Sequence, residues 1–388
     1  MKTVKLGRVV EVSTGTGEIS LSAKGVHREL YMLCLKFASK NVSAAVLCAN
    51  KENIKQSSVV LLTVNVPWLN AVGKLVTPFS YFTTFFFTLK SVPKVIRYAN
   101  SKRDILHVNF HLQVVMYASI RQFLHLRFRI VYTPRGIAHY RYRALEVMAL
   151  KYADSVIALT PHVKNMITSL SEWLGSKVKV VPIPPTSIPN LLDPVRDVDQ
   201  SQREKGLVIS VGSIQARKNQ VTLIKAISRL SLDRETPKLV LIGSLDDKDY
   251  LEKARELITR QQLPVTYVGS VPNSLLYKYY SRATLMCLPT LQESQCVAIL
   301  EAMYFGLPVI TSDINPIRDL IKGHESAVML VPPMDDLALS NAIRQVLGNQ
   351  SLRARMAEEA RKLIVDKYTW DKFADSLIEL YEEVIRDD

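Results

Sequence analysis

Pro289-Thr290-Leu291-Gln292-Glu293-Ser294-Gln295-Cys296-Val297-Ala298-Ile299-Leu300-Glu301-Ala302-Met303-Tyr304-Phe305-Gly306-Leu307-Pro308-Val309-Ile310 is the stretch from which the rest of the chain can be read. An apolar run ends at Pro289, a polar loop carries Glu293, and helical spacing begins between Ser294 and Val297. Gly306 stands where such a helix is capped, and Pro308 follows where it cannot continue. Residues 308–311 then read as the next strand. Strand, loop, helix, strand is the working unit of a layered α/β sheet.

The same alternation extends in both directions. Strands are expected at 207–211, 239–242, 265–268 and 284–288, with helices at 219–230, 250–260, 274–283 and 297–304. After residue 311 the chain reads as long helices running to 385. Towards the N-terminus, short β-branched or apolar runs recur at 8–12, 44–47, 59–64, 105–108, 130–132, 155–159 and 178–181. Between these halves Pro182, Pro184, Pro185 and Pro189 crowd together, and 192–206 is polar and charged, as a linker is. The expected fold class is therefore α/β, with two Rossmann-like, doubly wound domains facing a central cleft. Residues 1–185 form the first domain and 186–369 the second, followed by a terminal helix at 370–388. Ligands of such sheets bind beyond the carboxyl ends of the strands.

The length of 388 residues suits two domains, and 48% hydrophobic residues supply two cores. Cys34, Cys48, Cys287 and Cys296 lie far apart with no C-x-x-C pair, and the seven histidines make no ligand set with them. His107 and His111 are four apart, but His107 closes a strand. A reducing compartment is expected, with no disulfide and no structural zinc. Residues 1–12 do not read as a signal peptide. The longest uncharged runs, 56–73 and 75–89, are broken by Pro67 and Pro78, and the first is polar; neither supplies the ~20 apolar residues of a membrane span. Charge is divided unevenly. Up to Pro185 there are 25 Lys and Arg against 8 Asp and Glu, and thereafter 25 against 28, within a net charge of +14. The first half should seek a negative surface and the second should not.

Chemistry concentrates in the opening stretch. A helix starting after Ser294 presents unpaired N–H groups and a partial positive charge, a seat for a diphosphate. Glu301 lies about two turns beyond Glu293. A carboxylate there can accept both hydroxyls of a ribose while Glu293 faces a sugar across the phosphates; a solvated pair flanking an ordinary helix has the same spacing. Gly15 and Gly17 follow the first strand, where glycine either lets backbone approach a phosphate or simply makes a tight turn.

The stretch resembles the E-x7-E motif of retaining glycosyltransferases with the GT-B fold, glycosyltransferase family 4, with its E-A-M-x-x-G-x-P-V-I continuation. The resemblance extends to Val211-Gly212-Ser213-Ile214-Gln215-Ala216-Arg217-Lys218-Asn219, similar to the family's V-G-R-x-x-x-x-K-G loop. It also takes in Tyr267-Val268-Gly269-Ser270-Val271-Pro272, residues 279–283 and the closing segment from Tyr368-Thr369-Trp370 to Tyr381. It is close over 205–388 and looser before. It implies that Glu293 contacts the donor sugar, that Glu301 binds the nucleotide ribose and that Lys218 neutralises the diphosphate leaving group. It further implies donor contacts from Gly17, Gly212, Ser213, Arg217, Val271, Ser294, Gln295 and Cys296. Neither a metal nor a cofactor is implied beyond the nucleotide-diphosphate sugar itself. In the first domain, Asp104-Ile105-Leu106-His107-Val108-Asn109 resembles the family's D-v-v-H-x-H strand, and Tyr132-Thr133-Pro134-Arg135-Gly136 a variant T/S-P-R-G loop. These put His107, Asn109 and Arg135 on the acceptor side of the cleft; Arg135 either holds a phosphate or anionic acceptor or makes a structural salt bridge. The chain departs from the pattern at Ser213, where arginine is usual and Arg217 can substitute. It departs again at Gln295-Cys296, which replace Phe-Gly and narrow the space near the sugar, and at Asn109, which replaces histidine.

Phe79, Tyr81, Phe82, Phe85, Phe86 and Phe87 are flanked by Lys74, Lys90, Lys94 and Arg97. Aromatic and basic residues side by side suit an anionic membrane interface, and the helical spacing equally suits a core-facing helix with a solvated rim. A nucleic-acid-binding module is absent from the pattern. The expected protein is a retaining, metal-independent glycosyltransferase using a nucleotide-sugar donor and a glycan or lipid-linked acceptor. It is expected in the cytoplasm, able to sit peripherally on the cytoplasmic membrane face. A catalytically weak nucleotide-sugar-binding GT-B subunit, and a GT-B sugar phosphorylase or epimerase, are the alternatives.

Overall fold

The computed structural model describes residues 6–12, 26–48, 60–64, 78–134, 143–185, 203–230 and 236–386. The chain divides into two compact units, Met1–Pro182 with Trp370–Asp388, and Ile183–Thr369. The division falls between Pro182 and Ile183, three residues before the expected 185.

The first unit alternates β1 (Val9–Val12), α1 (Val26–Ser39), β2 (Ala44–Cys48), β3 (Val60–Thr63), α2 (Pro78–Tyr98), β4 (Ile105–Val108), α3 (His111–Phe123) and β5 (Arg129–Tyr132). It continues with α4 (Arg143–Tyr152), β6 (Ser155–Ala158), α5 (Pro161–Thr168) and β7 (Val178–Val180). Its seven strands run in the order β3-β2-β1-β4-β5-β6-β7, and every pairing is parallel. Strands such as Ala-Ala-Val-Leu-Cys in β2 and Ser-Val-Ile-Ala in β6 are buried along their whole length. That is why they read as continuous apolar runs and not as alternating ones.

The second unit is built the same way. Its elements are β8 (Leu207–Val211), α6 (Gln220–Leu230), β9 (Lys238–Ile242), α7 (Lys248–Arg260), β10 (Val265–Tyr267), α8 (Asn273–Arg282), β11 (Leu285–Leu288) and α9 (Val297–Tyr304). Then come β12 (Val309–Ser312), α10 (Asn315–Ile321), β13 (Val328–Val331), α11 (Asp336–Gly348) and α12 (Gln350–Lys367). The strand order is β10-β9-β8-β11-β12-β13, again parallel throughout. β13 corrects the expectation of uninterrupted helices after residue 311. Val-Met-Leu-Val is too short for its period to separate strand from helix, and only its pairing along β12 decides the matter.

The closing helix α13 (Trp370–Arg386) buries Trp370, Phe373, Leu377 and Tyr381 along one stripe within the first unit. Phe37 of α1 meets Tyr381 edge-on at 6.1 Å, while Lys36 and Lys40 pair with Asp371 and Asp375 at 2.9 and 2.7 Å. All four cysteines are buried, and none is in a disulfide. Among the described residues, no helix is long and apolar enough to cross a membrane, and no three His, Cys, Asp or Glu side chains are grouped to hold a metal.

Candidate functional site

Three glycines stand at the carboxyl ends of adjacent strands in the second unit: Gly212 after β8, Gly243 after β9 and Gly269 after β10. Gly212 N–H donates to Ile242 O at 2.9 Å and Gly243 N–H to Gly269 O at 3.0 Å. The loop after β8 keeps running beside the loop after β9, with Ile214 N–H donating to Ser244 O at 2.8 Å. A Cβ on Gly243 would lie 2.0 Å from Gly212 O, so this approach requires glycine.

That loop delivers Lys218. The lysine stem lies over Gly212, where a Cβ would sit 3.5 Å from Lys218 Cε. Its ammonium is buried and donates to Glu293 Oε1 at 2.5 Å. Thr290, fully buried at the end of β11, places its hydroxyl 2.8 Å from the same oxygen, and Arg217 Nη1 approaches Oε2 at 3.8 Å. The two loops are sewn together by backbone as well, since Leu291 N–H donates to Arg217 O at 2.7 Å. Lys218 and Glu293, 75 residues apart, thus form one buried ion pair at the carboxyl edge of the sheet. A buried pair of this kind persists only where hydrogen bonds satisfy both partners.

Asn219 and Cys296 both adopt left-handed backbone, each at φ 58°. They occupy positions where the resembling motifs carry glycine. Asn219 tolerates that region, its carboxamide oxygen accepting from Thr222 Oγ1 at 2.8 Å. Cys296 is the N-cap of α9 with no side-chain cap, and its buried thiol hydrogen-bonds Glu293. Burial first, and then the Glu293 charge, push that thiol's pKa up. The left-handed backbone reinforces the ordinary N-cap preference for glycine over alanine. Cys296→Gly is expected to be more stable than Cys296→Ala by about 1 kcal/mol, because only glycine is free of left-handed strain. Urea unfolding of the two variants measures the difference.

Glu301 lies on α9 and is buried, accepting from Tyr280 Oη of α8 at 2.9 Å. Burial and then the nearby Glu301 charge raise the Tyr280 pKa well above the ordinary tyrosine range. α9 ends in a Schellman motif: Leu307 N–H donates to Ala302 O at 3.0 Å and Gly306 N–H to Met303 O at 2.9 Å. Phe305 is the C-cap, and Gly306 follows it at φ 58°, one residue beyond the cap position expected of it.

The remaining expected residues are placed as follows. Gln295 is buried and pairs twice with one backbone unit, accepting from Ile183 N–H at 2.8 Å and donating to Ile183 O at 2.5 Å. Its amide is thus engaged by the chain entering the second unit. Ser213 lies beside Gln215, and its carbonyl accepts from Gln220 Nε2 at 2.9 Å. Arg217 is half-exposed and donates to Gln215 Oε1 at 3.0 Å and Gln292 O at 3.3 Å. Val271 is buried and Ser294 partly so. Gly17 and Arg135 lie outside the described residues.

In the first unit, His107 is buried between Glu11 at 3.0 Å on Nδ1 and Thr133 Oγ1 at 2.7 Å on Nε2, with Tyr381 Oη 2.7 Å from Nδ1. Glu11 and His107 are register partners on β1 and β4. Asn109, also buried, points its amide at Val12 O, 3.5 Å away. Both ring nitrogens of His107 are therefore committed to protein groups.

Gly243, Thr290, Glu11 and the Tyr280–Glu301 contact are not among the site groups expected from the sequence. Glu11 had a visible signal, a lone carboxylate inside an apolar strand. Gly243 had the glycine closing a strand. Thr290 had none.

Residues 194–363 match the family model described as glycosyl transferases group 1. An uncharacterised glycosyltransferase of Methanocaldococcus jannaschii is 27% identical over 254 residues, 62% of this chain and 62% of that protein. The Campylobacter jejuni GalNAc-alpha-(1->4)-GalNAc-alpha-(1->3)-diNAcBac-PP-undecaprenol alpha-1,4-N-acetyl-D-galactosaminyltransferase is 29% identical over 171 residues, 43% of this chain and 46% of that enzyme. The matched stretches span less than two thirds of either relative's length. A crystal structure of Anabaena HepE in complex with UDP and glucose has a TM-score of 0.71 at 18% identity, covering 97% of this chain and 99% of that one. At that identity the likeness establishes the fold, the two-domain α/β GT-B type. The chain is thus similar to glycosyl transferases group 1 over residues 194–363, and its fold is of the GT-B type.

Proposed function

We propose that this protein is a retaining, metal-independent glycosyltransferase that moves a sugar from a nucleoside-diphosphate donor to a glycan or lipid-linked acceptor. The observation that carries this reading is the buried Lys218–Glu293 pair ahead of α9, with Glu301 buried further along the same helix. A diphosphate at the head of α9 offers Lys218 a second anion, and Glu293 can then turn its oxygens to sugar hydroxyls. Lys218 is a fixed cation aimed at the charge that develops as the diphosphate leaves. Glu301 is set for the ribose, and Gly212, Ser213, Arg217, Val271, Ser294 and Cys296 for the rest of the donor. The acceptor hydroxyl attacks from the face the nucleotide leaves, and the departing diphosphate oxygen takes its proton.

Incubating the protein with UDP-, GDP- and ADP-sugars and following slow hydrolysis by NMR tests the reading and names the donor. The first-formed anomer should match the donor's. Rates in excess EDTA should equal those without it; a loss restored by magnesium or manganese would sink the metal-independent part.

A lipid-linked acceptor is favoured by α2, whose outer face carries large apolar side chains beside basic ones. Thr84, Thr88 and Ser91 face inward, Ser91 meeting Tyr117 Oη at 2.5 Å. Phe82, Phe85 and Leu89 are 50%, 43% and 50% exposed, and Lys90, Lys94 and Arg97 continue outward along the helix. Apolar side chains facing water beside cations suit an anionic bilayer surface. The Campylobacter relative, whose name carries a PP-undecaprenol acceptor, points the same way. Co-sedimentation with vesicles of anionic and neutral lipid is expected to retain the protein only on the anionic ones at low salt.

Ser213 favours a second reading, a GT-B subunit that binds nucleotide sugars and turns them over weakly. In the same donor titrations it would bind a donor without hydrolysing it.

A further inference from the structure

Arg203 falls in the polar stretch that the sequence marks as linker, yet its side chain is among the buried charges of the second unit. Among the described residues it makes no ion pair. Its guanidinium is spent on backbone carbonyls. Nη1 donates to Tyr280 O at 3.0 Å and Ala283 O at 2.7 Å, with Ser281 O at 3.4 Å, while Nη2 donates to Phe305 O at 2.7 Å. The first three acceptors close α8, and Phe305 is the C-cap of α9. One planar group therefore caps two helices at once, one terminal nitrogen to each.

Helix C-termini carry unpaired carbonyls and a partial negative charge, which is what a buried cation without a carboxylate needs. Burial first, and then the neighbouring Arg361, lower the Arg203 pKa to about 10, so at neutral pH the group stays charged. The two capped helices are the ones that bring Tyr280 and Glu301 together at 2.9 Å. The link is short: Tyr280 itself supplies a carbonyl to Arg203, and Phe305, which supplies another, donates its N–H to Glu301 O at 3.3 Å. Tyr280 and Phe305 rings also stack, 5.5 Å apart with 16° between their planes.

We propose that Arg203 is a positioning residue for Glu301: by capping α8 and α9 together it sets the spacing of the Tyr280–Glu301 contact and so aims the carboxylate that receives the nucleotide ribose. The inference rests on the nucleotide-sugar reading of this site. A lysine cannot replace the arginine, because a single ammonium lacks the fork that reaches two helix ends in fixed directions. Lys218 and Glu293 ride on other loops, so Arg203 governs nucleotide affinity and not the chemical step.

The test uses the full chain as wild type, Arg203→Lys, Tyr280→Phe and the double variant. Each is titrated calorimetrically with UDP, GDP and ADP and assayed for donor hydrolysis. For the nucleotide that binds, each single substitution is expected to weaken affinity about five- to tenfold with kcat within about twofold of wild type. The double variant should be little worse than the weaker single, as for residues coupled in one network. A merely structural arginine would instead give additive losses, or kcat and affinity falling together with thermal stability. Should Arg203→Lys not fold, Tyr280→Phe carries the test alone, and unchanged nucleotide affinity in it overturns the proposal. If wild type binds none of the three nucleotides, the nucleotide-site reading fails and the inference with it. If wild type binds and Arg203→Lys binds as well, only the inference fails.

Discussion

Glu293→Gln is expected to slow sugar transfer about 100- to 1000-fold, the loss typical when one preorganised electrostatic group is removed from a site. The carboxylate accepts from Lys218, Thr290 and Cys296 at once, so its oxygens are held in place before a sugar arrives. Glutamine keeps the shape and leaves the buried ammonium of Lys218 without its anion. Two further results should accompany the slow rate. Stability should fall by about 3 kcal/mol, the cost of breaking a buried pair from one side. Nucleoside-diphosphate affinity should be kept or improved, since Lys218 no longer has a competing carboxylate. Rates with the identified donor, urea unfolding and titration with the matching diphosphate measure the three. A fully active Glu293→Gln would sink the assignment of this carboxylate to the sugar.

Gly243→Ala is the second large effect, and it acts with no change of charge or polarity. The new methyl would lie 2.0 Å from Gly212 O, 2.5 Å from Gly212 C and 3.0 Å from Ser213 N. These are backbone atoms, so no rotamer change relieves the contact. The β8 and β9 loops must separate, with loss of the bonds from Gly212 N–H to Ile242 O and from Ile214 N–H to Ser244 O. Lys218 stands at the end of the displaced loop. A loss of about 3–5 kcal/mol is expected, at the severe end for one substitution, together with loss of nucleotide binding. Circular dichroism in urea and the same calorimetric titration report both. An unshifted unfolding midpoint would mean that the two loops do not run side by side.

Much of the second unit was legible because local and tertiary demands coincide there. Core strands such as Leu-Val-Ile-Ser-Val in β8 are buried throughout, so their apolar run announces them. Gly306 and Pro308 punctuate α9 because a left-handed residue and a residue without N–H end helices by local geometry alone. β13 escaped because four apolar residues carry no readable period and its strand identity comes from β12. On α2 the apolar spacing was plain, but which face meets the core was not: Phe87 points in while Phe82 and Phe85 point out.

Within the candidate site the same division holds, residue by residue. By itself the sequence determined the α/β alternation and singled out Lys218, Glu293 and Glu301 as the residues the proposed donor site needs. Only the tertiary structure decided how they are held: Lys218 against Glu293 across 75 residues, Gln295 clasping Ile183, Asn219 and Cys296 in left-handed backbone, and Arg203 drawn from an apparent linker to cap two helices. The physical reason is common to all four. Helical period and turn chemistry act over a few neighbouring residues and leave their mark in the local pattern. The sign of φ at a crowded loop, or the carbonyls a buried cation finds, depends on which distant backbone the fold brings within about 3 Å, and that distance is written nowhere along the chain.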